Sequence, residues 1–271
     1  MNPKISIVMP YYNRIELLYF TLRTFECSSY AKHTEIICVD DASKPALAAK
    51  QLLGKFKLNF RVITMDAEEK LAKGNVCPCV PFNVGFEAAQ GEVIVLQSPE
   101  CFHYGDVLKH VAEHVDESNY IVYSVKSIHQ KLTKVLYRSK DLSPAELNNN
   151  IVRDMSSTLS QKSGWYNHPR WNPTAYHFIS AITRKNLIDM LGGFDQRYAT
   201  GYCFDDNEIL ERIRRSPLEI QNIDPSECCG VHQFHPKFSL PMGNKDPLWK
   251  QNYSLFHSKT KKEKGWTANI Y

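Results

Sequence analysis

The sequence predicts an α/β fold, a central mostly parallel sheet covered by helices on both faces. Short β-branched and apolar runs alternate with segments of helical period through the N-terminal third, the pattern of parallel strands joined by crossover helices. Several of these runs stop at polar residues, where a sheet of this kind presents its ligand-binding edge. At 271 residues, 43% hydrophobic and 23% charged, the chain has an ordinary globular composition, and a single domain over residues 1–271 is expected.

Residues 4–9 form the first strand, stopped by Pro10. Over residues 14–25, Ile15, Leu18, Leu22 and Phe25 recur at helical spacing with Asn13 as N-cap. Residues 35–39 are a second buried strand ended by Asp40, Asp41, Ala42 and Ser43; a helix through Leu47, Leu52 and Leu53 and a third strand at 59–64 follow. Residues 82–90 read as a helix closed by Gly91, and 92–96 as a fourth strand. Residues 138–174 are polar and aromatic and read as a long functional loop or insertion with short helices, since structureless loops of such length are uncommon unless they bind something. Order returns at 176–182, then a helix through Leu187 and Leu191 to Gly192 and Gly193, a last helix at 205–215 and a strand or loop at 229–236. No internal repeat is present.

A formal charge of +4 suits an anionic small-molecule partner, and the basic residues form no long stripe of the kind nucleic acid requires. The run Lys259, Lys261, Lys262 and Lys264 reads as a solvated tail. No signal-peptide pattern opens the chain and no apolar stretch approaches the roughly 20 residues that span a bilayer, so a cytoplasmic protein without a membrane span is expected. The eight cysteines match no zinc ribbon or finger and are expected to be reduced and mostly buried.

Three strand ends carry polar groups of the kind a nucleotide-sugar site requires. After the first come Pro10, Tyr11, Tyr12 and Asn13, where a ring can stack on a base. After the second come Asp40 and Asp41, where a carboxylate can accept the imide N–H of uracil. After the fourth come Gln97, Ser98, Pro99 and Glu100, where an acidic residue can hold a divalent cation that neutralises a pyrophosphate leaving group.

Residues 5–13 (ISIVMPYYN), 36–43 (IICVDDAS), 83–85 (NVG) with 91–96 (GEVIVL), and 191–195 (LGGFD) resemble successive blocks of the family 2 glycosyltransferases of GT-A fold. The resemblance runs from about residue 4 to about residue 235. It implies a GT-A-like domain with a nucleotide-sugar-binding half, 1–137, and an acceptor and catalytic half, 138–271. It further implies a UDP-sugar donor held by Pro10, Tyr12, Asp40, Asp41 and Gln97. The acceptor is then a hydroxyl of a glycan or protein. The Asp-x-Asp that the family carries after the fourth strand is absent, leaving Glu100 as the carboxylate ligand, with Gln97 on the ribose or a phosphate.

The family's acidic pair falls on Asp205 and Asp206, followed by Glu208 and Arg212, and Asp206 takes the place of the base in an inverting transfer. Polypeptide N-acetylgalactosaminyltransferases are similar over this stretch but resemble Glu-Asn at the pair. His232, in GVHQFH, matches the histidine with which several GT-A enzymes complete a metal site, better than His235 does; manganese is expected there, with magnesium as the second choice. Trp165, Tyr166, Trp171 and His177 are candidates for stacking on sugar rings. Two other readings stay open: a degenerate nucleotide-sugar-binding protein, suggested by the missing Asp-x-Asp, and a zinc hydrolase built on the H-x-x-E-H pattern of His110, Glu113 and His114. Against the hydrolase, that segment is expected to be a partly exposed ordinary helix with Val107, Leu108 and Val111 facing the core.

Overall fold

A computed structural model describes residues 4–236, 246–258 and Ala268. β1 (Ile5–Tyr11) leads into α1 (Ile15–Phe25), β2 (Thr34–Asp40) and β3 (Asn59–Thr64), then α2 (Ala67–Lys73), α3 (Cys79–Ala88) and β4 (Val93–Gln97). β5 (Cys101–Tyr104), α4 (Val107–His114), β6 (Asn119–Tyr123), β7 (Val125–Ser127), α5 (Gln130–Leu136), α6 (Pro144–Leu159) and β8 (Trp165–Asn167) follow. β9 (Ile179–Thr183), α7 (Asp205–Arg215), β10 (Glu219–Ile223), β11 (Cys229–His232) and α8 (Pro247–Phe256) come last among the described elements.

The main sheet runs in the order β10-β6-β9-β4-β1-β2-β3. Strands β4, β1, β2 and β3 are parallel, β10 is parallel to β6, and β9 is antiparallel to both neighbours, so the sheet is mostly parallel as expected. Alternation along β1 splits its side chains between two layers. Ile7 and Met9 pack with Leu18, Leu22 and Val111 from α1 and α4, while Val8 packs with Phe82, Phe86 and Ile209 from α3 and α7. Helices therefore cover both faces. A smaller sheet, β5-β11-β7-β8, stands beside α1 and α6 over Phe20, Phe102, Leu147, Met155 and Val231.

Several expectations are corrected. β1 does not stop at Pro10 but continues to Tyr11; pairing with β4 has ended at Val8, so on that side the missing N–H interrupts no ladder. The helix through Leu47, Leu52 and Leu53 is replaced by two 3₁₀ turns, Pro45–Leu47 and Ala49–Leu52, because the Asp40 carboxylate draws the N–H groups of Ser43 and Ala49 onto itself. Gly91 caps no helix. It lies against β1, where a Cβ would stand 2.6 Å from the Ser6 nitrogen.

The segment 138–174 is more ordered than a loop. Ser143 and Glu146 form a capping box at the start of α6, whose Leu147, Ile151 and Met155 are buried. The turn before Gly192 is π-helical, Asn186–Met190, and all eight cysteines are unpaired. Among the described residues no helix is long and apolar enough to cross a membrane. The lysine run from Lys259 to Lys264 lies outside the described residues.

Candidate active site

The loops after β1 and β2 are laced together. Asn13 (φ 53°) and Ala42 (φ 60°) are both left-handed. Asn13 is not the N-cap of α1: its N–H donates to Ser43 Oγ at 2.9 Å and its Oδ1 accepts the Lys44 N–H at 2.8 Å. The Tyr12 ring is thereby left 40% exposed, with Lys70 Nζ 4.6 Å from its centroid. The same Nζ donates to Asp41 Oδ2 at 2.5 Å. Tyr12, Asp41 and Lys70 thus form one patch presenting a ring face, a carboxylate and a cation. Lys70 was not singled out from sequence, although its helix was marked by the N-cap Asp66 and by Gly74 in the left-handed conformation.

Two expected nucleotide ligands turn inward instead. Asp40 is fully buried, with its carboxylate committed to the Ser43 and Ala49 N–H groups. Gln97 is fully buried too; its Nε2 donates to the carbonyls of Ser98 and Cys101, and its Oε1 lies 3.0 Å from His103 Nε2. Both side chains are spent on hydrogen bonds within the protein. Pro10 pairs in register with Val39 and shapes the strand end.

Glu100 lies at the centre of a second cluster. Arg14 Nη1 donates to Oε1 at 2.6 Å, and His232 Nε2 and His235 Nε2 stand 3.6 and 3.7 Å from the same oxygen, too far for hydrogen bonds. Ligand atoms of Glu100, His232 and His235 all lie within 4.8 Å of one another, the one such grouping of three among the described residues. Glu100 Oε2 and His235 Nε2 are buried without a hydrogen-bond partner. Burial alone pushes the Glu100 carboxyl up, but His232, His235 and Arg14 outweigh it and hold the group well below the usual carboxylate range. An anionic carboxylate, two imidazoles and two orphaned buried atoms fit a divalent cation. His235 belongs to the set as fully as His232. A cleft of about 480 Å³ beside the cluster is lined by Tyr12, Arg14, Thr133, Phe234 and His235 among others.

The third group is at the N-terminus of α7. Asp205 is buried, and that burial together with the neighbouring Asp206 carboxylate pushes it up to about 7. Asp206 has a 43% exposed side chain whose Oδ1 lies 3.0 Å from His177 Nε2. Burial raises Asp206, but the adjacent His177 outweighs it and lowers the carboxyl below its ordinary value. His177 is itself raised: burial depresses it, and the Asp206 and Asp205 carboxylates more than reverse that. The His177 ring is 7% exposed and packs T-shaped against both Phe82 and Phe194, which stack on each other, so it offers no open face for a sugar to stack on.

Trp165 is also corrected. It is 6% exposed, donates Nε1–H to the Gln161 carbonyl and packs under Lys126 Nζ, so it belongs to the core. Trp171 is half-buried and stacks on His168. The open ring is Tyr166, 38% exposed, with its centroid 5.0 Å from that of His232. Phe178 stacks on Tyr166 while the preceding His177 meets Asp206, so one short segment ties the acidic pair to the Glu100 cluster. The H-x-x-E-H residues do not make a metal centre. His110 stacks on His114 and bonds Tyr123, Glu113 pairs with Lys109, and Val107, Leu108 and Val111 are buried.

The parallel sheet with loops clustered beyond β1, β2 and β4 defines a glycosyltransferase fold of GT-A type. Residues 6–191 match the model of "Glycosyl transferase family 2", and the chain belongs to that family. The matched stretch ends before Asp205. YfnE of Bacillus subtilis (strain 168), described as an uncharacterized glycosyltransferase, is 24% identical over 275 aligned positions, covering 86% of this chain and 65% of that protein. The chain thus spans about two thirds of that relative's length. Among solved structures, S. aureus TarS 1-349 in complex with UDP-GlcNAc superposes with a TM-score of 0.62 at 16% identity, over 93% of this chain and 65% of the other. Mannosyltransferase PcManGT from Pyrobaculum calidifontis, in complex with GDP-Man and Mn²⁺, gives 0.53 at 17% identity, over 88% and 59%.

Proposed function

We propose that this chain moves a sugar from a UDP-sugar to an acceptor hydroxyl of a glycan or protein, with inversion at the anomeric carbon. The Asp206 carboxylate carries the reading. A general base must be ionised and within reach of the proton it takes, and Asp206 is open to solvent and held as the anion by His177. The acceptor oxygen forms its bond to the anomeric carbon as the bond to the diphosphate oxygen breaks. The hydroxyl proton passes to Asp206, and UDP leaves with the bonding pair. Asp205, pushed up to about 7 beside it, carries only part of a second negative charge at neutral pH.

Tyr12 offers the face for the uracil, Asp41 accepts its imide N–H, and Lys70 supplies a donor for a neighbouring carbonyl oxygen. Glu100, His232 and His235 would hold a divalent cation, manganese before magnesium, because imidazole suits the softer ion. Such an ion would supply positive charge toward the departing diphosphate. Tyr166 and Trp171 are the rings left for sugars. The donor side is then built from the first half, 1–137, and the second half, 138–271, adds the base, the two histidines and the acceptor side. Unpaired cysteines suit a reducing, cytoplasmic compartment.

The experiment is UDP release from a panel of UDP-sugars with manganese, magnesium or EDTA, alongside Asp206→Asn. Release from one donor that requires metal and drops about 10²–10⁴-fold in the variant, with donor affinity kept, is the expected result. Unchanged release in Asp206→Asn would remove it as the base. UDP binding without release from any donor in the presence of glycan and protein acceptors favours the degenerate binding protein that the missing Asp-x-Asp suggests.

A further inference from the structure

The turn that delivers Asp205 and Asp206 is left-handed at two consecutive non-glycine residues, Cys203 (φ 62°) and Phe204 (φ 69°). Side chains with a Cβ resist this conformation, and it persists only where the surroundings over-determine it. Phe204 is the N-cap residue of α7 and supplies no side-chain cap of its own. The support comes from α8. Asn252, fully buried, donates from Nδ2 to the carbonyls of Tyr198 at 3.1 Å and Cys203 at 2.8 Å, so one amide fastens both ends of the turn. Gly201 lies so close beneath that amide that a Cβ there would stand 2.2 Å from Asn252 Oδ1. The Tyr202 N–H donates to the Leu248 carbonyl at the start of α8. The Phe204 ring sits among Trp249, Tyr253, Phe256 and His257, with centroids between 5.2 and 6.3 Å away.

We infer that α8 is the positioning device for the base: Asn252 and the aromatic cage around Phe204 hold the left-handed turn from which α7 presents Asp206 to His177 and to the acceptor. This rests on the reading of Asp206 as the base. Asn252 and Phe204 act through Asp206. Asp205 and Asp206 are the first two residues of α7, directly after Phe204, so relaxation of Cys203 and Phe204 re-aims both carboxylates and opens the 3.0 Å contact with His177.

The test uses the full chain with Asn252→Ala, and with Tyr253→Ala, whose 43% exposed ring can be removed without opening the core. UDP release from UDP-GlcNAc, the affinity for UDP-GlcNAc, and the titration of the His177 imidazole by NMR are followed. Release is expected to fall roughly tenfold or more in Asn252→Ala and several-fold in Tyr253→Ala, with donor affinity unchanged. The His177 ring, deprived of its contact with Asp206, is expected to titrate at lower pH than in the parent. Adding Cys203→Gly to Asn252→Ala is expected to restore most of the rate and the titration, since glycine holds a positive φ unaided. An unchanged His177 titration in the variants overturns the inference, whether release is kept or lost. If Asn252→Ala does not fold, Tyr253→Ala decides by the same readouts. Wild-type release in Asp206→Asn sinks the base assignment alone; the His177 titration still reports whether α8 places that carboxylate.

Discussion

Asp205 and Asp206 are adjacent on the first turn of α7, yet burial pushes one up to about 7 while His177 holds the other below its ordinary value of 3.8. Two neighbouring carboxylates pushed apart in this way are suited to different tasks, and the exposed, ionised one is the proposed base. The pair with His177 also sets a pH window. Asp206 is lowered on folding, so its contribution to stability is present above 3.8 and is lost as pH falls through its folded value. His177 is raised, so its contribution is full below 6.5 and is lost as pH rises through its folded value. His177→Gln should therefore cost most stability between those limits and progressively less above them, as urea unfolding across pH would show. In the same variant Asp206 loses the counter-charge that lowers it, so the acid limb of the turnover profile should move to higher pH. A limb that stays put would mean that His177 does not govern the base.

At the scale of elements, α7 is anchored by a buried pair. Arg212 donates to both oxygens of Glu208 and to the carbonyls of Leu191 and Gly193, with side chains only 3% and 0% exposed. Arg212→Met would strand the Glu208 charge in the core and should cost about 3–5 kcal/mol in urea unfolding. A loss under about 1 kcal/mol would show that Glu208 takes up a proton at little cost. Helix α7 and strands β1, β2 and β4 were legible in sequence, because long apolar runs and a clear helical period leave little choice. The smaller sheet was not, since β5, β7, β8 and β11 are three or four residues each and too short for a period to show. In β8 the alternation buries Trp165 and exposes Tyr166, and composition cannot tell which ring faces out. Asp40 and Gln97 occupy strand ends as expected, but their side chains satisfy buried backbone groups, a demand invisible without the neighbouring turns. The capping box of α6, Ser143 with Glu146 three residues on, is written in the sequence itself.

The Glu100 cluster exists only at the scale of the whole molecule. Glu100 follows β4, while His232 closes β11 more than a hundred residues later; antiparallel pairing of β11 with β5 sets His232 opposite Cys101, next to Glu100. Gln233, fully buried, then fixes the connection by donating from its backbone N–H and its Nε2 to the Glu100 carbonyl, at 3.0 Å each. Two sheets that meet at one carboxylate should be stabilised together by an ion that bridges them. A ligand that binds the folded state alone adds about 2.7 kcal/mol at a hundred times its Kd. Manganese should accordingly raise the melting temperature of the protein, EDTA should reverse the rise, and Glu100→Gln or His235→Ala should abolish most of it. His235 should matter as well as His232, because His235 Nε2 is a buried nitrogen without a hydrogen-bond partner. A melting temperature indifferent to manganese and magnesium would instead assign Glu100 to its ion pair with Arg14. The charge on the leaving diphosphate would then fall to basic side chains such as Arg14 itself.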